Sequence, residues 1–353
     1  MNQPTLITGG AGFVGTNLAH ALLSEGQSVL LYDNLSRAGV EQNWDWLRRT
    51  HGSHVQLAQD DVCDAEALRH VVRQAGQVFH FAAQVAVTSS LTDPLFDFEV
   101  NARGTLNLLE ALRGMNAPPA TVFTSTNKVY GGLEDVALRC RAECYEPEDA
   151  LLRAQGVSEQ RPLDFHSPYG CSKGAADQYV SDYARTFGLP AVVFRMSCIY
   201  GPHQFGTEDQ GWVAHFIIRA LEGKPVTLYG DGMQVRDVLF AEDLVRAMRL
   251  AQTHMARLSG QAFNIGGGPA NMLSLRGLLG LLADLHGDAP KVSYEGWRPG
   301  DQRYYVSDTR KFQQATGWSP RVGVEEGIAR LSRWLCEARG ISPRRAAAAL
   351  SAS

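Results

Sequence analysis

The stretch from Thr5 to Leu18 reads as a short buried strand, a glycine turn and the start of a helix (Thr5-Leu6-Ile7-Thr8-Gly9-Gly10-Ala11-Gly12-Phe13-Val14-Gly15-Thr16-Asn17-Leu18). Its glycines satisfy both G-x-x-G-x-x-G (Gly9, Gly12, Gly15) and G-x-G-x-x-G (Gly10, Gly12, Gly15). Glycine in such a turn allows a tight reversal, close approach of the backbone to a pyrophosphate, and close packing of helix on strand. The free N–H groups at the helix start then point at the phosphates. Gly9, Gly12, Phe13, Val14 and Gly15 are therefore the candidate phosphate cradle of a dinucleotide. A second strand, Ser28-Val29-Leu30-Leu31-Tyr32, ends in Asp33. A carboxylate at that distance accepts hydrogen bonds from an adenosine ribose and repels a 2′-phosphate, which favours NAD over NADP. Arg37 dissents: it is either a phosphate contact or an exposed loop arginine or adenine stacker.

The strand–helix rhythm continues. Val55-Gln56-Leu57-Ala58 leads into Asp60-Asp61-Val62, an acidic strand end suited to an adenine amino group. Gln77 to Ala83 is a fourth strand, and its small terminal residues Ala82 and Ala83, with Gln84 next, let a cofactor lie close. Strands alternating with helices predict an α/β fold, a Rossmann-type doubly wound parallel sheet with its ligand at the carboxyl ends of the strands. Asn101, at the start of a helix, is either a buried polar strut or an N-cap. Ala120 to Thr126 is a β-branched strand ending in hydroxyls.

Ser167-Pro168-Tyr169-Gly170-Cys171-Ser172-Lys173 places a tyrosine and a lysine four residues apart on a predicted helix. Residues at that spacing share a helix face. An ammonium beside a phenol lowers the phenol's pKa from about 10 toward a range useful for general base work. Thr126 would lie close enough to hydrogen-bond an alkoxide as it forms.

Composition narrows the classes. A chain of 353 residues with a formal charge of -4 lacks the basic surface of a nucleic-acid-binding protein. No apolar run is long enough for a bilayer, and the N-terminus enters a strand directly, so a cytoplasmic location is expected. The six cysteines are scattered and offer no zinc spacing, so free thiols and no metal are expected.

The glycine turn, the Thr126 strand end and Tyr169-x-x-x-Lys173, in this order, resemble the extended short-chain dehydrogenase/reductases that act on nucleotide sugars. The resemblance covers residues 3 to about 336. It implies Thr126, Tyr169 and Lys173 as catalytic residues, with Lys173 also holding the nicotinamide ribose, and tightly bound NAD. It implies that Asn34, Ser36, Asp61, Val62, Ala82, Ala83, Gln84, Met196 and Cys198 join the cradle, Asp33 and Arg37 around the cofactor. Nucleotide-sugar 4,6-dehydratases carry Asp-Glu directly after the threonine; Asn127 and Lys128 stand there, which argues against elimination. Asp33 to Arg37, Ser125 to Gly131, Leu163 to Tyr179 and the Asp209-Gln210-Gly211-Trp212 run resemble the subgroup that inverts C2 of CDP-paratose. Pro202-His203, where that subgroup tends to have Gly-Arg, is a departure.

The implied substrate contacts are Thr126, Asn127, Gln204, Gln210, Val213, Leu228, Arg236 on the diphosphate, Arg298 on phosphate and Asp301 on ribose. His166 either touches substrate or serves in capping or packing. The implied division is a NAD-binding part at 1–194 with 236–266 contributing, a discontinuous nucleotide-sugar part at 195–235 and 267–337, and a flexible tail at 338–353. Residues 132–165 read as a long irregular insert, a lid or mobile loop. The resemblance implies a homodimer or homotetramer paired through the helix bearing Tyr169. Two alternatives remain open: a UDP- or dTDP-sugar 4-epimerase with the same triad, and a non-catalytic dinucleotide-sensing protein, which would usually lose the tyrosine or lysine.

Overall fold

Seven short runs of the sequence are apolar on both faces, which suits strands buried between two layers of helices. In the computed structural model, which describes residues 3–287 and 290–341, they form one parallel sheet. Its order is Ala262–Ile265, Ala191–Met196, Ala120–Thr126, Gln77–His80, Thr5–Thr8, Val29–Tyr32, Val55–Ala58. One face is covered by helices Phe13–Ser24, Val40–His51 and Ala241–Thr253 through Leu18, Leu22, Leu47, Leu244 and Met248. The other is covered by Ala65–Val72, Gly104–Arg113 and Ser167–Phe187 through Leu68, Leu108, Leu112, Ala176 and Val180. The predicted doubly wound sheet is present.

Thr5–Thr8 pairs with Val29–Tyr32 on one side and Gln77–His80 on the other. The chain therefore winds in opposite directions from this strand, and a crevice opens at the carboxyl ends there. Gly9 sits in the crevice at φ +66°, and a Cβ there would fall 2.7 Å from the Ala82 nitrogen.

A second lobe is built on strands Cys198–Tyr200, Val235–Phe240, Met272–Ser274 and Tyr304–Tyr305. Helices Trp212–Leu221, Leu275–His286 and Val324–Arg339 close its core of Val213, Phe216, Ile217, Leu228, Leu278 and Leu331. Val238 to Phe240 pair with Cys198 to Tyr200, so residues 236–240, expected with the first sheet, belong to the second. Residues 338 and 339, expected in a flexible tail, are the end of the last helix; the rest of that expectation, from 342 to 353, lies outside the described residues.

The insert at 132–165 is ordered rather than irregular. It holds a hairpin (Leu138–Cys140 with Tyr145–Pro147) and a helix (Ala150–Gln155). Its far end is stitched into the body: Val157 N donates to Val306 O (2.7 Å) and Asn264 Nδ2 to Val157 O (2.8 Å). A loop whose backbone groups are so paired has little freedom to act as a lid.

The Tyr169 helix is tied to the sheet by a buried ion pair. Arg195, on a central strand, donates through Nε and Nη2 to the two Asp177 oxygens, both at 2.9 Å. Removing one partner of such a pair leaves a buried charge, which costs about 3–5 kcal/mol. Asp177→Ala should lower unfolding stability in urea by roughly that amount; a loss near zero would show that the pair does not anchor the helix.

Candidate active site

Helix Ser167–Phe187 begins at a strained point. Ser167 has φ +64°, a rare conformation for a residue with a side chain. The next residues, Tyr169 to Lys173, press on the end of strand Ala120–Thr126. Tyr169 is 8% exposed and Lys173 3%. Burial pushes the Tyr169 phenol up to about 12, against a hydrogen bond with Thr126 that lowers it, while the Asp97 charge adds to the rise. Burial pushes Lys173 down to about 7, opposed by the charges of Asp177 and Asp97. Its Nζ donates to Thr124 O (2.7 Å) and lies 4.3 Å from the centre of the Phe123 ring.

This corrects one expectation. Tyr169 and Lys173 share a helix face, but in the bare protein Lys173 is not what sets the phenol's pKa. The ammonium is held by a backbone carbonyl, and desolvation, the first of the causes acting on each group, moves the two in opposite directions.

A buried polar network joins this helix to the crevice. Asn101 lies in a π-helical turn, Glu99–Arg103. Its Oδ1 accepts from Gln84 N (3.0 Å), and its Nδ2 donates to Gln84 O (3.0 Å), Asp97 Oδ1 (3.1 Å) and Ser172 Oγ (3.1 Å). Ser172 also donates to Asp97, and Ser90 Oγ accepts from Tyr169 N (3.2 Å). Asn101 is thus the strut of the two readings. Asp97 and Ser172 were not singled out from sequence, although the Asp97–Asn101 spacing of four is a local signal for a shared helix face.

Around the crevice, the two Asp33 oxygens accept from Ala11 N (3.0 Å) and Leu35 N (2.9 Å). Burial raises the Asp33 pKa, against these N–H groups and that of Gly12. Leu35 follows at φ +54°. Asp61 Oδ2 accepts from Asn34 Nδ2 (2.7 Å). Val62 packs against Gly104, Ser36 and Arg37 are exposed, Ala82 lies beside Gly9, and Ala83 is half-buried next to it in sequence. A Cβ at Gly15 would strike Gly9 O at 2.5 Å, so packing demands glycine there. At Gly12 it would meet only Gly9 O, at 3.1 Å, which leaves space on the crevice side. Gln84 Oε1 and Ser125 Oγ are buried without a hydrogen-bond partner among the described residues. A cradle with room for phosphates, an oriented carboxylate and orphan polar atoms fit NAD.

The substrate-side residues divide. Arg236 is buried, 3.9 Å from Asp301. Arg298 stacks 3.6 Å from the centre of the Tyr229 ring and faces Glu208 (3.5 Å) and Asp209 (3.6 Å). Gln204 Oε1 and Gln210 Oε1 are buried and without a partner among the described residues, as side chains awaiting a polar ligand would be. Trp212 Nε1 donates to Cys198 Sγ (3.4 Å), and Met196 lies two residues before it at the strand end. His166 caps nothing with its side chain and pairs instead with Asp164 (3.0 Å). Val213 and Leu228 turn their side chains into the second lobe's apolar core, 2% and 0% exposed. Asn127 donates its Nδ2 to Gln302 Oε1 (2.9 Å). His203 is buried between Trp46 and Trp334, with ring centroids at 4.1 and 5.0 Å. The departure at that position is therefore one of packing.

The family described as GDP-mannose 4,6 dehydratase matches residues 6–331. The chain belongs to this family. Among curated members, the CDP-paratose 2-epimerase of Salmonella typhi is 44% identical over 336 residues, covering 93% of this chain and 98% of that protein. The dTDP-glucose 4,6-dehydratase 1 of Escherichia coli (strain K12) is 32% identical, covering 93% and 91%. Among solved structures, the UDP-glucose 4-epimerase of Thermus thermophilus in complex with NAD superposes with a TM-score of 0.78 at 35% identity, covering 93% and 97%. The chain is thus similar along most of its length both to epimerases and to a dehydratase.

Lys173 gives a pH test. Its folded pKa, about 7, lies below the unfolded value of 10.5. The unfolded chain therefore binds the extra proton between these values, and stability rises with pH across that window. In cofactor-free protein, the melting temperature relative to Lys173→Met should climb from pH 7 to pH 10. A flat difference would mean that Lys173 is not desolvated.

Proposed function

We propose that the chain is an NAD-dependent nucleotide-sugar epimerase that inverts C2 of a CDP-linked 3,6-dideoxyhexose of the CDP-paratose type. The observation that carries the reaction class is the strand end at Thr126, beside Tyr169, whose next two residues, Asn127 and Lys128, bear no carboxyl group. Elimination needs an acid to protonate the departing hydroxyl; epimerisation needs only a proton shuttle and a redox partner. The likeness to the Salmonella typhi enzyme supports the choice of carbon and base.

When bound, NAD supplies the two-electron acceptor and donor and, in its oxidised form, a positive ring. Gly9 to Gly15 would hold its phosphates and Asp33 its ribose. Tyr169 would take the C2 hydroxyl proton, which an added cation nearby makes easier. Thr126 would hold the developing alkoxide. The planar ketone would turn over in the pocket, and Tyr169 would return the proton to the ketone oxygen as hydride comes back to the other face of the carbon. Arg236 and Arg298 would keep the diphosphate in place, with Arg298 leaving Glu208 and Asp209 for phosphate. For a 3,6-dideoxyhexose, oxidation at C2 is required, because a C4 ketone is not adjacent to C2.

We propose a discontinuous two-part division, with 1–194 and 241–266 in the cofactor part and 195–240 and 267–337 in the nucleotide-sugar part, since the strand Val235–Phe240 pairs in the second sheet and Ala262–Ile265 in the first. Helices Val87–Thr92, Pro94–Phe98 and Ser167–Phe187 expose Leu91, Leu95 (79% exposed), Phe96, Phe98, Tyr179 and Phe187. An apolar patch of this extent supports pairing of two copies. No helix among the described residues is long and apolar enough to cross a membrane. All six cysteines are free, which supports a cytoplasmic location.

Purified protein offered CDP-paratose and a panel of UDP- and dTDP-hexoses should invert only the CDP sugar, at C2. Tyr169→Phe should lower turnover by roughly 10²–10⁴-fold. Inversion of a hexose at C4 with CDP-paratose untouched would replace the reading with a 4-epimerase. Light scattering should show a dimer or larger, and Leu95→Glu should shift it toward monomer; a monomeric wild type would contradict the pairing.

A further inference from the structure

We infer that Asn127 and Lys128 are positioning residues that fasten the nucleotide-clamping loop to the catalytic strand and so set which sugar carbon meets Tyr169. This rests on the epimerase reading above. Asn127 follows Thr126 directly and is buried; its Nδ2 donates to Gln302 Oε1 (2.9 Å). Gln302 is wholly buried and donates its Nε2 to Gly131 O (2.6 Å), so the turn Asn127–Gly131 grips both ends of one amide. Lys128 Nζ donates to Gly300 O (2.8 Å). The Lys128 main-chain N–H donates to Thr126 Oγ1 (3.2 Å), which closes the chain of bonds back to the catalytic hydroxyl.

The loop held in this way carries Arg298 and Asp301, and Asp301 faces Arg236. The groups assigned to the diphosphate and ribose are therefore spaced from Thr126 and Tyr169 by three side-chain hydrogen bonds. In a nucleotide sugar the diphosphate is bonded to C1. C2 is next to that anchor and C4 is across the ring, so the distance from clamp to phenol selects between them. Turnover adds a second demand. A ketone free to turn over must stay captive through its diphosphate until it is reduced again. If the clamp moves relative to the strand, the ketone escapes and leaves the cofactor reduced. Burial, together with the charge of Arg236, holds Lys128 near a pKa of about 8, which ties it to the same cluster.

The test uses the full chain loaded with NAD, comparing wild type with Asn127→Leu, Lys128→Met, Lys128→Arg and Gln302→Leu. Gln302→Leu removes the same bond from the other side if Asn127→Leu fails to fold. Asn127→Leu and Lys128→Met should lose roughly ten- to a hundredfold in C2 inversion of CDP-paratose, the effect of a broken buried hydrogen bond. Absorbance at 340 nm should build up during turnover as ketone escapes, and Lys128→Arg should restore both readouts. Amide hydrogen exchange at residues 298–302 should quicken in the variants while that of Thr121 to Thr126 stays as in wild type. Unchanged exchange at 298–302 would overturn the inference whatever the substrate, as would lost turnover with no build-up at 340 nm. A wild type inert toward CDP-paratose would instead sink the epimerase reading, and the exchange data would still decide the tether.

Discussion

Burying a lysine and a tyrosine on one helix face, against the end of one strand, is the constraint from which the rest follows. Desolvation opposes charge on both: it lifts the Tyr169 phenol and lowers the Lys173 ammonium. A helix carrying such a face stays docked only with compensation. Arg195 grips Asp177 from the sheet side, and Asn101, Asp97 and Ser172 satisfy one another from the flanking side. The same network reaches Gln84 at the crevice mouth. The crevice and the Tyr169 helix are thus held in one polar frame.

The parts readable in the sequence were those set by local spacing. A strand, glycine turn and helix need only consecutive residues, and Gly9 and Gly15 are confined to glycine by contacts within the turn or with the neighbouring strand. Asp33 and the Thr126, Tyr169, Lys173 order are equally local to their elements. What resisted reading was the direction of individual side chains. Spacing of four puts Lys173 beside Tyr169, but not whether its ammonium meets phenol or carbonyl. Asn127 reads as a substrate contact in the sequence, because its hydrogen-bond partner Gln302 is 175 residues away and beyond local spacing. Val213 and Leu228 sit in segments that border the predicted pocket, yet their side chains turn into the second core. The 132–165 insert looked irregular because its order comes from Val306, Asn264 and Met233, which lie far along the chain.

The reaction class follows from what the strand end lacks and from what replaces it. After Thr126 this chain places an amide and an ammonium, and both hold a loop. The site keeps the proton shuttle and the dinucleotide crevice of its family while the positions that would favour water loss serve geometry instead. Substrate choice then becomes a matter of distance between the clamp and the phenol.

The most direct measurement is to follow CDP-paratose deuterated at C2 through one equilibration with the purified protein. Oxidation and re-reduction at C2 on a retained cofactor predicts an inverted C2 that keeps its deuterium. Inversion with the label lost to water would show proton abstraction in place of redox chemistry, and retention of C2 configuration with change at C4 would show that Tyr169 faces a different carbon.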